Sequence, residues 1–379
     1  MHTSLIAAGL LAIAISAQAA LPVDEVRTLP SLPVTKNRLY VGDFSINHIL
    51  DGRLSLYDAD TGRFQGVLGT GFAGQFTQSP DRRELYVATT YLSRGQRGDR
   101  TDVLEVYDAD TLVLKHEILL DAKRTQALNY RGYLRTSADG RLMFVQNATP
   151  ATSVTVVDLQ ARKMVGEIET PGCWGIFPAA GNARRFSALC GDGTVATFTL
   201  NDDGTPRDGG RANSDKVFDP HGDALFIHAE QDGDTYRFVS FTGNLVTMDF
   251  GGEQARKVDQ WSLVDAAARK AGWRPGGYQL FAFHPPSGRL YVGMHPGGRE
   301  GSHKTPASQI WVFDVHTKRR LSRLPGDGAI AMTVPANPDR LLFVIDGMTN
   351  SLVVRGGPAM KVRHRQTPLG DSPALLEVR

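Results

Sequence analysis

Long apolar runs, cysteine and charge of a single sign are all scarce in this 379-residue chain, and each scarcity removes a class of protein. The longest apolar stretch, residues 5–15, falls short of the roughly 20 residues that a membrane-spanning helix needs. Lys and Arg number 42 against 40 Asp and Glu, a formal charge of +2 with no long run of either sign, which makes nucleic acid a poor partner. Only two cysteines occur, Cys173 and Cys190, and they do not form Cys-x-x-Cys, so a redox dithiol or zinc ribbon has no support. Familiar catalytic signatures are missing as well: there is no G-x-S-x-G elbow, no H-E-x-x-H, no phosphate-binding P-loop and no G-x-G-x-x-G opening a helix.

What is present is turn chemistry. Forty glycines and twenty prolines are scattered rather than clustered, which suits many short strands better than long helices, and 41% hydrophobic with 22% charged residues suffices for a substantial core. The amino terminus reads as a removable export signal over residues 1–19: the apolar run is followed by Ala17-Gln18-Ala19, a small-x-small cleavage pattern, although only His2 and the terminal amine stand in for the usual basic segment. Residues 20–38 then form an arm whose Pro22, Pro30 and Pro33 discourage regular structure, and residues 39–379 form one domain. Export to an oxidising compartment, the periplasm, lets Cys173 and Cys190 pair across a hairpin, two free buried thiols being the alternative.

One unit recurs along the chain: an alternating apolar strand that ends in Asp, a turn, and another strand. Its clearest copies are Leu54-Ser55-Leu56-Tyr57-Asp58 and Leu104-Glu105-Val106-Tyr107-Asp108, followed by Val154–Asp158 and Ile310–Asp314, with weaker ones near Asn201, at Asp249 and at Arg355. Between them, Ser79-Pro80-Asp81, Ser137-Ala138-Asp139-Gly140, Pro286-Ser287-Gly288 and Asn337-Pro338-Asp339 introduce further strands. Units of roughly 40 to 50 residues with four strands have the size of propeller blades, which bury their faces by stacking on neighbours. Seven units are implied, so the expectation is an all-β, seven-bladed β-propeller. One inserted helix is expected from Ser262 to Ala271, with Ser262 and Asp265 as a capping box and Gly272 as its stop.

Candidate chemistry is thin. His284, His295 and His303 lie near Glu300 in sequence, but with strands and loops between them they read more readily as isolated side chains than as a metal site. Asp58, Asp108, Asp158 and Asp314 recur by repeat position, which argues for turn geometry over acid or base duty. The four tryptophans, Trp174, Trp261, Trp273 and Trp311, read as core or blade-to-blade packing rather than as a cofactor precursor. The short basic runs Lys318-Arg319-Arg320 and Arg363-His364-Arg365 suit a solvated edge or a docking patch.

Specific strings go further. The segment from Tyr86 to Asp108, containing Arg94-Gly95-Gln96-Arg97 and Thr101-Asp102-Val103-Leu104-Glu105-Val106, resembles the heavy chains of quinoprotein amine dehydrogenases, the methylamine and aromatic amine enzymes. Gln146–Ser153, Gly172-Cys173-Trp174 with Cys190-Gly191-Asp192-Gly193, and Gly272-Trp273-Arg274-Pro275-Gly276-Gly277-Tyr278 followed by Met294–Lys304 resemble the aromatic amine branch, and the likeness runs from about residue 39 to residue 352.

The resemblance implies a heavy subunit that carries no cofactor or catalytic residue. It implies an assembly of two heavy and two light chains in which the light chain holds tryptophan tryptophylquinone. The implied reaction is oxidative deamination of a primary amine to aldehyde and ammonia, with electrons leaving to a blue copper protein such as azurin or amicyanin. It also implies an aromatic in the loop after the first strand, lining the substrate channel. Here that loop is Asp43-Phe44-Ser45-Ile46-Asn47-His48, with Ile46 at the matching place and Phe44 two residues earlier. Both are candidate channel residues, and both equally suit subunit-interface packing. The readings that stand against a dehydrogenase subunit are an exported propeller that binds protein or glycan, and a metal-dependent propeller hydrolase.

Overall fold

The computed structural model describes residues 31–127, 130–366 and 368–379, so the expected export signal and the first part of the arm lie outside the described residues. The alternation of apolar and polar side chains that marks the repeats produces antiparallel sheets almost throughout. Five sheets have four strands each, and a sixth has eight. The first sheet is closed by the chain's own end: Pro373–Val378 is its innermost strand and pairs with Arg38–Asp43, which pairs with Gly52–Asp58 and then Arg63–Gly71. This joining of carboxyl-terminal and amino-terminal strands removes the free edges that would otherwise template aggregation.

The expected seven separate blades are therefore corrected to five free-standing four-stranded blades and one double-width sheet. The cause is a single strand, Arg319–Thr333, whose first half pairs with Ala307–Asp314 and whose second half pairs with Leu341–Asp346. A repeat counted from strand-ending markers cannot see a strand that two units share. Asp58, Asp108, Asp158 and Asp249 nonetheless end the third strand of their sheets, Asn201 follows directly on a third strand, and Asp314 and Arg355 both fall within the eight-stranded sheet.

Apolar clusters lie at every junction around the ring. Phe144 meets Phe186 between the third and fourth sheets, Phe177 meets Phe238 between the fourth and fifth, and Leu39 meets Phe343 where the ring closes. Another cluster, around Tyr291 and Val344, lies between the two halves of the eight-stranded sheet. Burial of a large side chain in such a cluster contributes about 1.5–3 kcal/mol, and no sheet could bury both faces without its neighbours.

The marker aspartates are turn formers. Asp58 accepts from the Asp60 amide at 3.0 Å and the Thr61 hydroxyl at 2.7 Å, and Asp108 and Asp314 each accept from the backbone amides two and three residues on. Cys173 and Cys190 face each other across a hairpin and are bonded, as expected. The helix is shorter than expected, Ala266–Lys270, and Asp265 is its cap, accepting from the Ala268 amide at 2.8 Å. Ser262 ends the preceding strand instead and bonds to Val264, so it is not available as the cap. Gly272, at φ +70°, follows the helix as the left-handed stop.

On the ring axis, Arg131 donates to the Thr333 hydroxyl at 3.0 Å and the Leu376 carbonyl at 2.7 Å, and lies 3.4 Å from Glu230. The buried Gln279 donates to the carbonyls of Met332 and Leu376 and accepts from the Leu376 amide at 2.8 Å. These two side chains staple innermost strands of different sheets to one another across the axis. No helix among the described residues is long and apolar enough to cross a membrane.

Candidate functional site

Loops between the second and third strands of each sheet, and loops that link one sheet to the next, emerge on one face of the ring. The loop at residues 43–48 belongs to this face. Its shape is set by Asp43, a buried carboxylate that accepts from the amides of Ser45, Asp371 and Ser372, each at 2.8 Å. Asn47 adds a bond of 2.8 Å to Asp371, and hydrogen bonds from the Asn47 side chain and amide hold that carboxyl below its ordinary range.

Ser45 takes a left-handed backbone, φ 47°, and a 3-10 turn over Ile46–His48 follows. The strand rule that puts residues two apart on one face therefore fails here. Phe44 turns inward and is 5% exposed, whereas Ile46 is 57% exposed. Of the two candidates, Ile46 is therefore the exposed one and Phe44 the buried one.

A buried polar cluster sits under the same face. Asp102, fully buried, accepts from Thr90, from two nitrogens of Arg100 and from the amide of Arg124, between 2.6 and 3.2 Å. The Arg124 guanidinium is itself buried and donates to Thr90 at 3.0 Å and to the carbonyls of Phe72 and Ala73. Burial pushes its pKa down to about 10, opposed by Asp102. The cluster orders the loop at residues 70–74, and its Thr90, Arg100 and Asp102 lie inside a string that carried the resemblance, yet nothing in the sequence distinguished Asp102 from a surface turn residue.

Two other resemblance strings meet in space. Gly298 donates to the Gly272 carbonyl at 2.7 Å, and Gly277, at φ +125°, donates to the His303 carbonyl at 3.0 Å. A side chain at either glycine would strike Arg274 or the backbone of Ile330, so the close approach of these loops requires them. These loops form one side of a cavity of about 450 Å³, giving it Arg274, Tyr278, Glu300 and His303, while Tyr130, Phe226 and Phe241 line it from elsewhere. Burial, with neighbouring Tyr133 and Tyr278, raises the Tyr130 phenol well above its usual value.

The histidines do not converge. His284 bonds to Ser287 and the Asn337 carbonyl, His295 bonds to the Pro296 carbonyl, and His303 lies at the cavity. No group of three or more His, Cys, Asp or Glu able to hold a metal occurs among the described residues. The tryptophans pack: Trp311 is fully buried with its ring centroid 5.3 Å from that of Trp273, Trp174 meets Tyr133 edge-on, and Trp261 meets Phe313. Arg320 and Arg323 lie over the Trp311 ring at 4.6 Å, which ties the basic run at residues 318–320 to the core as well as to solvent.

The family model described as methylamine dehydrogenase heavy chain matches residues 35–377. The methylamine dehydrogenase heavy chain of Methylobacillus flagellatus is 26% identical over 363 residues, covering 93% of this chain and 87% of that one. That of Paracoccus versutus is 27% identical over 323 residues, covering 84% and 74%. Among solved structures, a putative 6-phosphogluconolactonase from Bacteroides fragilis is similar with a TM-score of 0.60 at 13% identity, covering 94% of this chain and all of that one. Dihydro-heme d1 dehydrogenase NirN has a TM-score of 0.56 at 15% identity, covering 93% of this chain and 67% of that one. At such identities these two likenesses speak to the propeller fold alone.

Proposed function

Since the chain belongs to the methylamine dehydrogenase heavy chain family, we propose that it is the heavy subunit of a periplasmic amine dehydrogenase that converts primary, aromatic amines to aldehyde and ammonia. The observation that carries the reading beyond membership is the loop at residues 43–48, which holds an apolar side chain, Ile46, 57% exposed on a loop fixed by Asp43. An apolar group held out on a rigid support is suited to burial against a second chain.

That second chain is a light subunit bearing tryptophan tryptophylquinone, in an assembly of two heavy and two light chains. The quinone, when present on that chain, supplies the electrophile and electron sink for amine oxidation. The residues of this chain fit a supporting role. Its two cysteines are bonded to each other, and its tryptophans are packed against aromatic side chains. Ile46 would border the substrate channel and exclude water there, Phe44 would hold Ile46 in place, and the Asp102–Arg124 cluster would keep the neighbouring loop from shifting. Electrons would leave to a blue copper protein such as azurin or amicyanin.

The aromatic preference rests on the likeness of residues 272–278 and 294–304 to the aromatic amine branch. Steady-state oxidation of phenethylamine, tyramine and methylamine by the assembled enzyme tests it. A kcat/KM for phenethylamine at least tenfold above that for methylamine supports the aromatic assignment, and the reverse order overturns it.

A further inference from the structure

The cavity bordered by residues 272–278 and 294–304 on one side carries an arginine and a glutamate that do not satisfy each other. Arg274 is half-buried, its stem against Gly298 and its guanidinium 4.4 Å from the Phe241 ring centroid. Its position is thus fixed by packing. Glu300 stands at the exposed rim of the same cavity. Neither side chain has an ion-pair or side-chain hydrogen-bond partner among the described residues. The remaining wall is rich in half-buried aromatic surface, from Tyr130, Phe226, Phe241 and Tyr278.

A fixed guanidinium prefers a carboxylate, which it can hold with two parallel N–H donors. A carboxylate separated from it by more than ion-pair distance prefers an ammonium, and the aromatic walls prefer a ring or another flat apolar body. The cavity's volume, about 450 Å³, lies in the range of small-molecule sites. We infer that this cavity binds an aromatic α-amino acid as its zwitterion, the carboxylate on Arg274, the ammonium toward Glu300 and the ring among Tyr130, Phe226 and Tyr278. The inference stands on the cavity alone and does not depend on the dehydrogenase reading. The Lys304 ammonium lies 5.6 Å from the Tyr278 ring and adds positive charge beside the cavity, which favours the carboxylate end.

The test is isothermal titration of the purified full chain at pH 7 with L-phenylalanine, with phenethylamine, which lacks the carboxylate, and with phenylacetate, which lacks the ammonium. Phenylalanine is expected to bind about tenfold more tightly than either analogue, because a site built to bond a group rejects the compound that lacks it. Arg274→Gln should bring phenylalanine down to the level of phenethylamine, and Glu300→Gln to the level of phenylacetate. Arg274→Lys keeps the charge but not the fork and should fall between wild type and Arg274→Gln. Thermal melting of each variant distinguishes a lost contact from a lost fold. Absence of saturable heat with phenylalanine, or equal affinity for the three ligands, overturns the proposal. So does a wild-type affinity for phenylalanine in a folded Arg274→Gln or Glu300→Gln protein.

Discussion

Replacing Asp102 by Asn removes one negative charge and changes almost no volume, so its cost isolates the electrostatics of the cluster beneath the loop face. Oδ1 of Asp102 accepts from Thr90 at 2.6 Å and Arg100 Nε at 2.8 Å, and Oδ2 accepts from Arg100 Nη2 at 2.6 Å and the Arg124 amide at 3.2 Å. An amide in either orientation sets its own NH₂ against two donors. It also leaves the buried Arg124 guanidinium without its neighbouring charge. Removing one partner of a buried ion pair costs about 3–5 kcal/mol. With an unfolding entropy of about 2.1 cal/mol/K per residue, a chain of roughly 350 ordered residues loses about 4–7 °C in Tm. Differential scanning calorimetry at neutral pH reads this directly, with Asp51→Asn, an exposed residue without side-chain partners, as the control that leaves Tm unchanged. A fall of under about 1 °C for Asp102→Asn, indistinguishable from the control, would refute the reasoning.

Ile46→Ala and Phe44→Ala should separate binding from stability. Ile46, 57% exposed, gains about half of the roughly 1.5–3 kcal/mol of a full burial when a partner covers it, so its loss should weaken light-subunit affinity about tenfold by titration with no change in Tm. Phe44, 5% exposed, should instead lower Tm on truncation, a buried Phe→Ala change costing about 3–5 kcal/mol. Replacing both Cys173 and Cys190 by Ser opens a loop of 17 residues and should cost about 3 kcal/mol in denaturant unfolding, an unchanged midpoint contradicting a stabilising role. The hydrogen bonds from Lys123 and Ser153 hold the Glu167 carboxyl below its ordinary range, and those from the Gly251 amide and Arg256 do the same for Asp249. Depressed carboxylates add stability above their unfolded pKa values of about 4, lost as pH falls through the lower folded values, so Tm should decline progressively below about pH 4.5. A Tm that is flat from pH 6 to pH 3 would show that these contacts do not persist in solution.

Local patterns in the sequence disclosed the strands, the turn aspartates and the Cys173–Cys190 pair, because each depends on residues near one another in the chain or on a simple alternation. The blade count misled because Arg319–Thr333 serves two sets of partners without a break that composition would mark. The helix start was misplaced for a similar reason: Ser262 and Asp265 both suit a cap, and only the strand ending at Ser262 decides between them. Arg131 and Gln279 on the axis and Asp102 under the loop face could not be read from sequence, since polar residues become structural only when distant strands close around them. The left-handed Ser45, which splits Phe44 from Ile46, has a weak signature at best, because Ser seldom adopts that backbone. The cavity was half legible: Arg274, Tyr278, Glu300 and His303 lie in strings that carried the family likeness, whereas Tyr130, Phe226 and Phe241 do not.

The most direct test of the central claim is purification of this protein from its native cells at low salt, followed by intact mass, visible absorption and amine-dependent dye reduction. A copurifying small subunit with quinone absorption, and dye reduction that requires a primary amine, is the predicted result. A colourless chain that purifies without a partner and reduces no dye with phenethylamine, tyramine or methylamine would contradict the heavy-subunit account and favour an exported propeller that binds protein or glycan.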